Sequence, residues 1–345
     1  MATHKTKPQC HIHDTVEDWN VDDFRKSVCV NDSPLTKHND GNHYCLFHLP
    51  TRDKDVGKFE AKFGARLKAV EDKIAAIEEL PEDEREKARD GISYDFRYVW
   101  FPSEVDLNKY KFMAAASFGS ATFTAAAYFH SATFSADAHF SETTFSAPAY
   151  FSSATFSADA DFDSATFAAR AEFLEAAFSS YAHFESATFS ADASFSLATF
   201  SAYASFNWAT FLAEVDFWDA TFSADAYFGD VTFSGFVCFI RAKFGKTGHT
   251  SFSEANFAKD TFFDRTRFRN NVSFNSATLA MNPMFSFAML SLPGTRIFNI
   301  ADPKDIYALA ICGKARTVSL IFRKRRLKRW VAYRFIRFVC DRLGL

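Results

Sequence analysis

The chain has 345 residues, among them 44 Phe but only 12 Gly and 9 Pro, and its formal net charge is −3. This composition excludes an ordinary globular chain and indicates an internal repeat, which has to be identified before domains are counted. The first 50 residues contain no apolar signal-peptide core, and no run of about 18 apolar residues predicts a transmembrane helix, so we expect a cytoplasmic protein.

Residues 1–54 form a Cys/His-rich segment with four candidate metal ligands. These are Cys10, Cys29, Cys45 and His48. Cys45 and His48 are separated by two residues, a spacing that puts two ligands of tetrahedral zinc on one tight turn. The Tyr-Cys-x-x-His ending resembles the zinc knuckles that precede bacterial repeat proteins, and this resemblance implies a structural zinc ion. Cys10 and His13 are a competing pair of ligands, and reduced thiols in a loose segment are the alternative to a metal site.

Residues 55–92 are predicted to be helical. Between Lys58 and Leu80, apolar side chains recur at steps of three and four residues, which is the pattern of an amphipathic helix. Pro81 ends this helix or starts a new turn, and the charged run that follows it is interpreted as a solvated helix or linker. We expect the helical region to cap the domain that comes next.

A strict repeat begins after this region. From Phe112 to Phe244, 25 Phe residues recur with spacings that alternate between six and five residues. The residue two positions before each Phe is nearly always small or β-branched, as at Ala121 and Val231. Residues two apart on an extended segment share a side, so each segment places one small and one large side chain in the interior. A coiled coil with an 11-residue period is excluded, because these steps would put Phe on two separate helix faces.

The repeat resembles the pentapeptide-repeat family over roughly Phe96 to Leu290. That resemblance implies an all-β solenoid, a right-handed quadrilateral β-helix in which four units make one coil. With alternating units of five and six residues, one coil has 22 residues, and residues 93–291 would form about nine coils with flanking α-helices. The extra residue in alternate units is interpreted as a widened corner or a bulge on two opposite faces.

Charge is distributed unevenly along the chain. Residues 112–240 carry 14 acids and one base, whereas residues 314–345 carry one acid and 11 bases. The predicted solenoid is therefore acidic over most of its length, and the segment that follows it is strongly basic.

Two sets of outward residues in the repeat are candidates for binding. The first is a row of acids at one position of the six-residue units: Asp137, Asp159, Asp192 and Asp225. Because Asp is suited to tight corners, we interpret this row as structural, with cation binding as the alternative. The second set is Trp208 and Trp218, which are candidates for an aromatic docking patch. No nucleophile, base and orienting group converge in the pattern, so the sequence predicts no enzyme activity.

Residues 292–345 are predicted to form a basic, aromatic, helical tail. Asp302 followed by Pro303 is a typical helix start. In residues 319–345, Arg and Lys interleave with aromatic side chains such as Trp330, a composition typical of a helix on an anionic membrane surface. A capping or dimerisation helix and a nucleic-acid patch are the alternatives, with nucleic acid the least favoured. Resembling sequences carry a similar stretch just before a pair of membrane helices, so two interpretations stay open: an independent soluble protein, or the cytosolic part of a membrane protein.

Together these features predict a non-catalytic scaffold or sensor module of a bacterial cell. It would bind a protein partner and lie in the cytoplasm at the inner face of the cell membrane. A homo-oligomer is a further alternative for its assembly. The alternative function is that of a DNA mimic, in which the acidic solenoid binds a DNA-handling enzyme such as gyrase.

Overall fold

The computed structural model describes residue 10, residues 35–50 and 54–279, and the short strands Met289–Leu290, Ile297–Phe298 and Ser319–Leu320. In chain order the described residues form a small hairpin, two helices and a long β-solenoid. Within these residues, no helix has both the length and the apolar character that crossing a bilayer requires.

The N-terminal elements precede the solenoid and cover its first coil. The hairpin pairs Thr36–Lys37 antiparallel with His43–Tyr44. Helix α1 spans Val56–Glu78 and begins at Asp55, whose carboxylate accepts the backbone N–H of a residue in the first turn. Helix α2 spans Glu82–Arg89. The apolar stripe of α1 is buried, as its three- and four-residue spacing predicts, at Phe59, Val70, Ile74 and Ile77.

The solenoid has four faces, each a parallel sheet in which neighbouring strands come from successive coils. Face 1 consists of Ser93–Asp95, Ala115–Ser117, Ala138–His139, Ala160–Asp161, Ala182–His183, Ala204–Ser205, Ala226–Tyr227, His249–Ser251 and Asn271–Ser273. Face 2 consists of Trp100–Phe101, Thr122–Phe123, Thr144–Phe145, Thr166–Phe167, Thr188–Phe189, Thr210–Phe211, Thr232–Phe233, Asn256–Phe257 and Thr278–Leu279.

Faces 3 and 4 complete each coil in the same way. Face 3 consists of Val105–Asp106, Ala127–Tyr128, Ala149–Tyr150, Ala171–Glu172, Ala193–Ser194, Val215–Asp216, Val237–Cys238 and Thr261–Phe262. Face 4 consists of Lys111–Phe112, Thr133–Phe134, Thr155–Phe156, Ala177–Phe178, Thr199–Phe200, Thr221–Phe222, Lys243–Phe244, Arg267–Phe268 and Met289–Leu290.

The strand register confirms the predicted solenoid and its 22-residue coil. Phe134 aligns with Phe156 on face 4, and Ala138 aligns with Ala160 on face 1. The described residues contain eight complete coils and part of a ninth, in agreement with the predicted number of about nine. The ninth coil is represented by strands on faces 1, 2 and 4, because its face 3 position falls outside the described residues.

The core consists of Phe ladders that run along the solenoid axis. Rings on one face stack nearly parallel, as Phe134 does on Phe156 with centroids 4.8 Å apart. Rings from faces 1 and 3 meet edge to face across the axis, as Phe140 and Phe151 do at 5.4 Å. Both arrangements are favourable for aromatic pairs. The four rings are fully buried, and the small Ala or Val side chains beside such rings fill the remaining space.

The corners explain the alternation of five- and six-residue units. After faces 1 and 3 the chain makes a tight turn, in which Ala121 donates its N–H to the oxygen of Phe118 at 3.0 Å and Ser120 has a φ of 53°. After faces 2 and 4 the corner contains one more residue and is wider. At the wide corner, Asp137 accepts the N–H of Asp159, its counterpart one coil later, at 3.2 Å. This bond supports the structural interpretation of the Asp row.

The C-terminal segment differs from its predicted conformation at four residues. Ile297–Phe298 and Ser319–Leu320 are extended and pair in parallel, where the sequence predicts a helical tail. Their spacing of one coil length places two strands of solenoid type beyond residue 291. The predicted helix start at Asp302 and the basic residues 321–345 lie outside the described residues.

Candidate metal centre and docking groove

Three of the predicted metal ligands are brought together beside the first coil. The strand His43–Tyr44 leads directly into a tight turn, in which His48 and Leu49 both donate their N–H groups to the oxygen of Cys45. This turn places the side chains of Cys45 and His48 on one side. Cys10 approaches from elsewhere in the chain, and its sulfur accepts the N–H of Cys45 at 3.3 Å.

The distances between the donor atoms fit a tetrahedral metal ion. Nδ1 of His48 lies 3.4 Å from Sγ of Cys10 and 3.2 Å from Sγ of Cys45. The three donor atoms all lie within 4.8 Å of one another, and all three residues are buried. Bonds of about 2.3 Å to sulfur and about 2.0 Å to nitrogen separate tetrahedral ligand atoms by roughly 3.5 Å. The cluster is therefore able to hold a metal ion with little rearrangement.

The electrostatics of the cluster favour positive charge. Burial lowers the pKa of His48, but its hydrogen bonds with the sulfurs of Cys10 and Cys45 outweigh burial and raise the pKa to about 9. A metal ion would have to displace this proton, because only the neutral imidazole can act as a ligand. The other candidate ligands from the sequence, Cys29 and the competing His13, lie outside the described residues.

A buried lysine, which sequence reasoning missed, joins this turn to the solenoid. Lys54 is 5% exposed, and its Nζ donates to the backbone oxygens of Leu46 at 3.0 Å and Phe47 at 3.1 Å. The same ammonium group donates to the backbone oxygen of Trp100 in the first coil. Burial lowers the pKa of Lys54 to about 7. The sequence offers no signal for this role, because a single Lys in a polar stretch looks like any solvated residue.

A second candidate site is a groove of about 660 Å³ on the outer surface of face 3. Residues that contribute to its lining are Asp192, Glu214, Asp216, Phe236, Cys238 and Phe262. Phe236 is 45% exposed, whereas the 25 Phe residues of the strict repeat from Phe112 to Phe244 are all buried. The groove thus combines exposed apolar surface with three carboxylates; we refer to it as the face 3 groove.

The thiol in the face 3 groove is an apolar contact rather than a nucleophile. Burial, together with the negative charge of Asp216, raises the pKa of Cys238 to about 12. At neutral pH the thiol therefore stays protonated. Asp216 is itself held in place, because it accepts hydrogen bonds from the hydroxyl of Ser196 at 2.7 Å and from the N–H of Trp218 at 2.8 Å.

The two tryptophans proposed as one aromatic patch do not form one. Trp208 follows the face 1 anchor of the sixth coil and is 58% exposed, whereas Trp218 follows the face 3 anchor of the same coil. The two side chains therefore occupy diagonally opposite corners. Trp218 packs against Arg241, whose guanidinium carbon lies 5.3 Å from the ring centroid.

Comparison with known proteins bears on the solenoid. A family model described as pentapeptide repeats (9 copies) matches residues 107–155, 140–188 and 184–232, from the first coil to the seventh. No curated protein and no solved structure matches the chain significantly. The match covers residues 107–232, whose inward Phe and small side chains build the middle coils of the four faces. The solenoid of this chain is accordingly a pentapeptide-repeat β-helix.

Proposed function

We propose that the chain is a non-catalytic scaffold. In this proposal the rigid β-helix binds a protein partner through the face 3 groove, and the basic C-terminal segment lies against an anionic membrane surface. A pentapeptide-repeat β-helix is suited to such a role, because its binding surface is fixed before the partner arrives and loses little conformational entropy on binding.

The face 3 groove is the observation that carries the proposal. Its apolar part is formed by Phe236, Phe262 and the protonated thiol of Cys238, and the neighbouring carboxylates make its charge negative. Arg170, at one end of the groove, pairs with Glu172 at 2.7 Å. A partner segment that presents an apolar side chain between Lys or Arg residues would complement this surface in both shape and charge.

A binding measurement on the full chain tests the groove. The probe is a fluorescent synthetic peptide with Leu and Phe residues flanked by Lys, and its anisotropy is followed during titration. We expect Phe236→Ser to weaken binding by about tenfold or more, since burying a Phe side chain contributes about 1.5–3 kcal/mol. Met113→Ser is the matched control, because Met113 is as exposed as Phe236 but lies at the first coil. Equal loss in both variants would argue against the groove.

The membrane part of the proposal rests on the sequence of the tail, with its 11 basic residues in 314–345. We expect vesicles that contain anionic lipid to retain the chain at low salt and to release it as salt is raised, whereas zwitterionic vesicles do not retain it. Deleting residues 319–345 should abolish retention. Replacing Arg323, Lys324 and Arg325 by Gln should reduce it in proportion to the charge removed, and retention that survives the deletion would contradict this part.

A DNA mimic is the second candidate function, and the 14 acids in residues 112–240 favour it. The basic residues of the last coils, such as Lys243 and Arg267, argue against a uniformly acidic imitation of DNA. A gyrase supercoiling assay distinguishes the two functions. If the chain neither inhibits gyrase nor protects it from a gyrase-directed drug, the mimic is excluded.

A further inference from the structure

The cluster of Cys10, Cys45 and His48 has the chemistry of a zinc site. Two sulfurs and one imidazole nitrogen are soft or borderline donors, which suit Zn²⁺ and do not suit Mg²⁺ or Ca²⁺. The separations of 3.2 and 3.4 Å from the imidazole nitrogen to the two sulfurs leave room for one metal ion bound to all three atoms. Surface groups that meet by chance are exposed, whereas these three side chains are buried.

The ligand turn is also joined to the solenoid by three contacts. Trp100 donates its N–H to the oxygen of Phe47 at 2.9 Å, and Lys54 bridges the same two backbone segments. The ring of Phe47 packs edge to face on Phe59 at 5.4 Å, and Phe59 in turn packs on Phe101 of the first coil at 5.6 Å. A metal ion that fixes the turn would therefore also fix the cover of the first coil.

We infer that Cys10, Cys45 and His48 bind a structural Zn²⁺ ion, and that this ion locks the N-terminal turn onto the first coil of the β-helix. The inference is independent of the proposed function, because the three ligands share no residue with the face 3 groove or with residues 319–345. Zinc in this position acts by holding together chain segments that are distant in sequence, as structural zinc does in other small modules.

Metal content and Co²⁺ substitution test the site in the full chain, purified under reducing conditions. We expect one equivalent of Zn²⁺ by elemental analysis. We also expect one equivalent of Co²⁺ to give thiolate-to-cobalt charge-transfer absorption together with the intense visible bands of tetrahedral coordination. Cys45→Ser and His48→Ala should weaken binding by more than about 100-fold, which exceeds the effect of losing an outer-shell partner.

The matched control is Cys238→Ser, which removes a thiol of the seventh coil and should leave the cobalt spectrum unchanged. Circular dichroism of each variant shows whether the β-helix is intact, so that lost binding is not confused with unfolding. Substoichiometric metal in the unaltered chain, or an unchanged spectrum in Cys45→Ser, would overturn the inference. Cys29→Ser and His13→Ala test the fourth ligand; if neither alters the spectrum and water completes the coordination, the structural role is wrong.

Hydrogen exchange tests the lock itself. The amide of Trp100 is bonded to Phe47 in the metal-binding turn, whereas the amide of Thr188 is bonded to Ala165 in the middle of the solenoid. Removing the metal with a chelator should accelerate exchange at Trp100 about tenfold or more and leave Thr188 unchanged. The same exchange at Trp100 with and without metal would show that the ion does not hold the turn on the first coil.

Discussion

At the scale of single residues, the solenoid brings acids from successive coils close together. Asp163 lies at a tight corner, and its carboxylate accepts the N–H of Glu185 one coil later at 2.7 Å. Burial, followed by repulsion from Asp161 and Glu185, raises the pKa of Asp163 to about 6. Asn207 occupies the same corner two coils later, and Asn108 occupies the equivalent position at the opposite tight corner. Each accepts the N–H of the residue 22 positions later without carrying a charge.

We therefore predict that Asp163→Asn stabilises the protein at pH 7. The raised pKa means that the folded state binds the proton more tightly than the unfolded state, so the carboxylate costs stability as pH rises from about 4 through 6. Because Asp163 is only half-buried, we expect a gain of about 1 kcal/mol at pH 7 and none at pH 4. Urea unfolding at both pH values measures it. Asp137→Asn, at an exposed corner, should change stability much less; a gain at pH 4 as large as at pH 7 would contradict the explanation.

At the scale of structural elements, the corners limit which residues stack on one another. Gly235 lies at a wide corner of the seventh coil and stacks on Ala213, which occupies the same corner one coil earlier. A Cβ atom on Gly235 would lie 2.2 Å from the backbone oxygen of Ala213. The two corners therefore approach more closely than any side chain permits, and glycine is required here by the packing of backbone on backbone.

Gly235→Ala should therefore lower the free energy of unfolding, because the added methyl group forces the two corners apart. Overpacking of this kind costs about 1–3 kcal/mol, and urea denaturation measures the loss. Gly64→Ala is a control of opposite sign. Gly64 lies within α1 with nothing within 4 Å of the added Cβ, so helix propensity should raise stability by up to about 1 kcal/mol. A neutral Gly235→Ala would mean that the corner adapts freely.

At the scale of the whole molecule, the β-helix is a stack of coils whose ends have to be covered. Each coil contacts its neighbours through strand pairs and Phe ladders, so stability is close to a sum over adjacent coils. The first coil has no preceding coil, and α1 takes that place. The ring centroid of Phe63 in α1 lies 4.9 Å from that of Phe96, and the ring of Phe59 packs on Phe101. These contacts shield the first rings of the Phe ladders from water.

Phe59→Ala should consequently destabilise the first coil without unfolding the middle of the solenoid. A buried Phe truncated to Ala typically costs 3–5 kcal/mol. Hydrogen exchange followed by mass spectrometry should show faster exchange in the first coil, from Ser93 to Phe112, and unchanged exchange in the fifth, from Ala182 to Phe200. Phe184→Ala, in the fifth coil, is the matched control and should reverse the pattern. Uniform acceleration in all coils would contradict the additive description.

The sequence alone determined the β-helix of this protein, because the inward-facing residues are specified by a pattern of neighbouring positions. Each Phe and the small residue two positions before it need only an extended backbone to face inward together, and the alternating spacing fixes a 22-residue coil. The same local logic predicted α1 and the turn that joins Cys45 to His48.

Tertiary structure decided which distant side chains meet. Cys10 joins Cys45 and His48 across 35 or more residues, and Lys54 reaches Trp100 across 46. Neither contact is encoded in a local sequence pattern. The opposite positions of Trp208 and Trp218 depend in the same way on how each coil closes. Stacking brings residues 22 apart in sequence to neighbouring strands, roughly 5 Å apart. The raised pKa of Asp163 follows from that stacking. The metal cluster depends instead on how the N-terminal segment folds against the first coil.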